Sequence, residues 1–85
     1  MGDELNLRLD KYLKVSRIIK RRTVANEVCS QGRVKINDRT AKPGSEVKAG
    51  DIIAIQFGDR IRQYEVLAVD DHVSKEDAAG MYREL

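Results

Sequence analysis

The chain has 85 residues, 41% hydrophobic and 35% charged, which fits one small folded domain and excludes a disordered segment. Its single cysteine, Cys29, cannot close an internal disulfide, no signal peptide is recognisable, and no apolar run approaches the ~20 residues that cross a bilayer; the expected location is the cytoplasm. The net charge of +2 hides a division: residues 1–50 hold twelve basic and six acidic residues (+6), residues 51–85 four and eight (−4), so a polyanion surface is expected in the first part.

Residues 1–6 read as a flexible lead-in. A first helix is predicted from Leu7 or Arg8 to Val15, with Leu9, Tyr12 and Leu13 on one face and Arg8, Lys11 and Lys14 directed mostly to solvent. Asp10 suits the positive end of that helix and reads as a helix-start or ion-pairing residue. Val15 to Arg22 is a basic connector (Arg17, Lys20, Arg21, Arg22) anchored by Ile18 and Ile19. A second helix is expected from Thr23 to Gly32, with Ala25, Val28 and Cys29 inward and Gly32 supplying a positive φ at its end. Arg21 and Arg22 arrive where its first backbone N–H groups are unpaired, a natural seat for phosphate.

After Gly32 the period falls to two. Val34 and Ile36 alternate with Arg33 and Lys35, a strand with one wet, basic face. Asn37-Asp38 is a turn that tolerates left-handed geometry, with a short return at Thr40-Ala41. Turns at residues 42–45 and 49–51 flank Val47. Ile52 to Phe57 is the most apolar run and the expected central strand; Gly58-Asp59-Arg60 is a hairpin, and Ile61 to Val69 returns. Asp70-Asp71-His72 is a polar break, so residues 7–69 read as the domain and 70–85 as an acidic tail. Ser74 with Asp77 resembles a capping box for a short helix over 75–79, stopped by Gly80, and Met81, Tyr82 and Leu85 are apolar enough to dock.

Little catalytic chemistry is visible. His72 and Cys29 are single and far apart, and no phosphate-binding glycine loop or nucleophile elbow is present. Neither enzyme activity nor a cofactor or metal is expected. The aromatics are Tyr12, Phe57, Tyr64 and Tyr82; with Tyr12 on the apolar helix face and Phe57 in a core run, base stacking is not expected to dominate, and arginine and lysine reading phosphate and shape is the expected mechanism.

RLDKYL, a basic connector, a short helix ending in QGRVKIND, and VKAGDII together resemble the RNA-binding domain of small-subunit ribosomal protein four, the S4 domain, over roughly residues 8–55. The resemblance implies an α+β class and an αL motif: two short N-terminal helices on a small, twisted, mostly antiparallel sheet, with RNA on the helical face. RLDKYLKVSRIIKRRTVANEV with the ending EDAAGMY is similar to the short heat-shock ribosome-binding and ribosome-associated quality-control protein P family. That likeness implies binding to obstructed large ribosomal subunits through rRNA and peptidyl-tRNA, beside a tRNA-delivering partner, in support of nascent-chain tailing. By position, Arg8, Lys11, Arg17, Lys20, Arg21 and Arg22 match the family's RNA-facing residues, and Asp10 the acid of its opening; Lys14, Arg33 and Lys35 complete the candidate set. Arg21 stands where many relatives carry a Ser or Thr cap, so the cap is expected from Thr23 or the backbone. The long basic tail of the heat-shock members is absent, and a monomer is expected. The alternatives are a generic interaction module whose basic face meets an acidic protein and, ranked last, an accessory domain of an RNA-modifying enzyme.

Overall fold

The computed structural model describes residues 6–70 and 73–85. Of the expected lead-in only Asn6 falls within them, and residues 71 and 72, with the histidine, lie outside the described residues.

Leu7–Arg8 forms a two-residue strand, β1, followed directly by helix α1 (Leu9–Val15). The sequence places Leu7 or Arg8 in the helix. Instead Leu7 pairs with Val47 and Arg8 with Glu46 of β4 (Glu46–Val47). The helix starts at Leu9 because its first amides are met from outside: Leu9 N–H donates to the Ser45 carbonyl (2.7 Å) and Asp10 N–H to that of Pro43 (3.2 Å). Helix α2 spans Arg22–Ser30, one residue earlier at its start than expected. It closes with Gly32 at φ 74°, Gly32 N–H donating to Cys29 (3.1 Å) and Arg33 N–H to Val28 (3.2 Å), the hydrogen bonds of a Schellman ending.

The main sheet has the order β3 (Arg39–Thr40), β2 (Val34–Ile36), β5 (Ile52–Phe57), β6 (Arg60–Val66), β7 (Tyr82–Glu84), every pair antiparallel. Asn37 and Asp38, at φ 52° and 68°, make the β2–β3 turn, the double left-handed geometry that suits a tight hairpin. The Asn37 amide donates to Asp51 (3.1 Å) while its carbonyl oxygen accepts from Ile52 N–H (3.0 Å), fixing the turn to β5. Side chains alternate as strand geometry requires. Val34, Ile53, Ile55, Tyr64 and Val66 enter the core with Leu9, Tyr12, Leu13, Ile19, Ala25 and Cys29, while Lys35 and Ala54, paired across the ladder, face the other way.

The segment expected to be a tail is part of the domain. Ser74 Oγ caps helix α3 (Lys75–Ala78) by accepting from Asp77 N–H (3.2 Å). A 3₁₀ turn (Ala79–Met81) follows, and β7 then pairs with β6. Ala78 and Met81 are buried. The Met81 carbonyl accepts from the buried Tyr12 hydroxyl (2.9 Å) and from the amides of Leu67 (2.8 Å) and Ala68 (3.2 Å). Burial, with Tyr82 nearby, pushes the Tyr12 phenol above its ordinary value, so it stays a donor. Tyr12→Phe leaves the carbonyl two donors and is expected to cost about 0.5–1.5 kcal/mol in urea unfolding, whereas Tyr12→Ala, which also empties core volume, is expected to cost about 3–5 kcal/mol.

Candidate nucleic-acid interface

Asp10 is 2% exposed at the seam between the two helices. Its carboxylate accepts from Arg8 Nε (3.2 Å) and Nη2 (3.3 Å), from the Asn26 side chain of α2 (3.2 Å), and from the Lys11 backbone N–H (2.8 Å). Arg22, at the start of α2, lies 3.8 Å away. Burial alone would raise the Asp10 carboxyl, but the bonds from Asn26 and Arg8, the Arg8 charge and the Lys11 amide outweigh it and hold it below its usual range. One carboxylate therefore gathers guanidinium groups from two elements, and two cations against one anion leave a local surplus of positive charge. Both arginine side chains stay about half exposed, at 55% and 50%, so they can also bind phosphate by their free edges.

The connector extends this surface. Ser16 ends α1, and Arg17 turns the chain at φ 65°, its N–H donating to Lys14 (3.1 Å). Ile19 is buried and its N–H donates to Leu13 (3.0 Å), so the exposed Lys14, Arg17, Lys20, Arg21 and Arg22 are presented from a fixed loop. Lys11 is part-buried on α1. No side chain caps α2: its N-cap is Arg21, and Thr23 does not serve in that role. The first-turn amides of α2 thus add partial positive charge beside Arg21 and Arg22, whereas the first amides of α1 are already engaged.

Arg33 and Lys35 are placed elsewhere. They line a cleft with Ala54, Gln56 and Ile61 on the sheet face away from the helices, because Val34 between them points into the core. Arg60 and Arg62, which are outside the candidate set expected from sequence, border the connector at Ile18, and Phe57, expected in the core, is 39% exposed. The period of two gives the right face for all three; what it lacks is where the helical layer stops covering that face. Cys29 is a core residue, its thiol pushed up to about 11 by burial and by the charge of Asp10.

A helix pair on an antiparallel sheet, with Arg8 of β1 and Arg22 of α2 around one buried acid and exposed cations along the connector, defines a small α+β polyanion-binding domain. The S4 domain family model matches residues 7–53, and the chain belongs to the S4 domain family. It is 55% identical over 76 residues to the RQC P-site tRNA stabilizing factor of Streptococcus pneumoniae, covering 89% of this chain and 86% of that one. Against the RQC P-site tRNA stabilizing factor of Bacillus subtilis the identity is 51%, covering 89% and 88%. The trimeric structure of Vibrio cholerae Heat Shock Protein 15 superposes with a TM-score of 0.84 at 29% identity, covering 95% of this chain and 83% of that one.

The lowered Asp10 value fixes the sign of a pH effect. Its contribution to stability is present above the unfolded value, near 3.8, and is lost as pH falls through the lower folded value. Asp10→Ala, which removes the acceptor of the part-buried bonds from Asn26, Arg8 and the Lys11 amide, is expected to cost about 1–3 kcal/mol at neutral pH. Asp10→Asn is expected to remove part of the stability lost on acidification, read by urea unfolding at pH 7 and at pH 3.

Proposed function

We propose that this protein binds RNA of the large ribosomal subunit together with P-site tRNA, as a cytoplasmic monomer acting in ribosome-associated quality control and nascent-chain tailing. It works by binding, without catalysis or a cofactor, beside a tRNA-delivering protein. The observation that carries this reading is the convergence of Arg8 and Arg22 on Asp10, continued by Arg17, Lys20 and Arg21, within the span that matches the S4 domain. The names of its relatives support the tRNA site and the quality-control role. Planar guanidinium groups on rigid elements read phosphate positions and helix shape, which suits structured RNA. The inertness of the Cys29 thiol supports a binding role. Among the described residues no helix is long and apolar enough to cross a membrane.

Cosedimentation with isolated ribosomal subunits tests the proposal: the protein is expected with the large subunit, most strongly when it carries peptidyl-tRNA, and recovery only in the free fraction at low salt would overturn it. For contacts to roughly six phosphates, log affinity is expected to fall with log salt at a slope of about −4 to −5, and a flat dependence would argue for a protein partner.

Arg17 separates binding from folding. Arg17→Glu is expected to weaken RNA binding about ten-fold or more while changing stability by no more than about 0.5 kcal/mol. Arg17→Gly also loses affinity, yet is expected to be as stable or slightly more so. Relief of the ~1–2 kcal/mol left-handed penalty offsets the ~0.4–1 kcal/mol of added unfolded-state freedom. Arg22 is the poorer choice for charge reversal, because a glutamate there would face the buried Asp10.

A further inference from the structure

We infer that the cleft between the α1–α2 connector and the β5–β6 hairpin accepts one unpaired RNA base, stacked on Phe57 while Arg60 and Arg62 hold the adjoining phosphates. The inference rests on the RNA-binding reading and adds a subsite to it. Phe57 continues the inward-facing series Ile53, Ile55 along β5, and its ladder partner is Arg60, across the two-residue turn opened by Gly58 at φ 61°. Arg60 and Arg62 precede Tyr64 on the same face of β6. The face that forms the core nearer the middle of the sheet thus runs on into the hairpin and emerges uncovered.

Ile18 of the connector meets it there. Ile18, Phe57, Arg60, Arg62 and Tyr64 line a cleft of about 250 Å³, below the ~300 Å³ where pockets for larger ligands begin and suited to one planar base. Tyr64 is 6% exposed and packs edge-on against Tyr82, with centroids 5.5 Å apart at 79°, so the base of the cleft is rigid. A singly exposed apolar side chain is ordinary. An exposed aromatic lining one cleft with two arginines of the neighbouring strand has the composition of a nucleotide site, with a π-face for the base and cations for the backbone. Arg62 lies 3.6 Å from Glu84, both about half exposed; such a pair is weak in water and yields to a phosphate. Stacking is tolerant of base identity, so the cleft selects an unpaired nucleotide rather than a letter. The duplex itself falls to the helical face.

The test uses the full chain and three fluorescein-labelled RNA hairpins: one with a single-purine bulge in its stem, one fully paired, and one with an abasic bulge, followed by anisotropy at low salt. Wild type is expected to bind the bulged hairpin more tightly than the paired one. Phe57→Ala, checked for folding by circular dichroism, is expected to lose roughly 5- to 100-fold on the bulged hairpin and nothing on the paired one, while Phe57→Trp keeps the preference. The abasic bulge is expected to cost wild type a similar factor and to add nothing to Phe57→Ala. Phe57→Ala binding the bulged hairpin like wild type, or losing equally on both, overturns the cleft; if Arg17→Glu still weakens both, the RNA reading stands without it. Wild type binding none of the hairpins overturns both.

Discussion

The buried Asp10 carboxylate is the contact on which the cationic surface depends. An ionised carboxylate inside a protein is tolerated only when charge and hydrogen bonds surround it, and the partners it recruits come from β1, α1 and α2. Its need for partners therefore sets how the two helices meet. Arginines that would repel one another across open solvent are held together because a single anion lies beneath them. The acid is spent inward and the guanidinium edges remain outward, so a surface built around a negative charge presents itself to RNA as positive.

The far end of the chain supports this arrangement from below. Tyr12 belongs to the same helix as Asp10, and its hydroxyl reaches the Met81 carbonyl, while β7 extends the sheet. Docking of the C-terminal residues under α1 fixes the height of that helix above the sheet. Three of the acids of this half, Glu76, Asp77 and Glu84, are exposed on α3 and β7, and Glu84 lies 3.6 Å from Arg62. The opposed signs of the two halves thus fall on separate elements, the cations on the helix pair and the acids on α3 and β7.

Much of this was legible wherever a local rule decides the outcome. Gly32 had to follow α2, Asn37-Asp38 had to turn, and Leu9, Tyr12 and Leu13 had to share a buried face. The missed features depend on partners distant in sequence. Leu7 and Arg8 are a strand only because Glu46 and Val47 lie beside them; two residues carry no period of their own. The C-terminal strand is too short to alternate visibly, and its acidic composition argued for a solvated tail. Lys35 lies on the far side of the sheet from the helices because Val34 must be buried. Phe57 follows the alternation of its strand faithfully, yet a strand does not reveal where its covering layer ends.

Cys29 gives the molecule an internal clock. With its thiol protonated and enclosed in the native state, the sulfur meets a water-borne reagent only when α2 lifts from the sheet, an opening that belongs to the fluctuation spectrum of the fold. The rate of disulfide exchange with an aromatic reagent then counts those liftings one molecule at a time. A polyanion clamped across both helices would slow the count without contacting the sulfur, making the cysteine a gauge of occupancy.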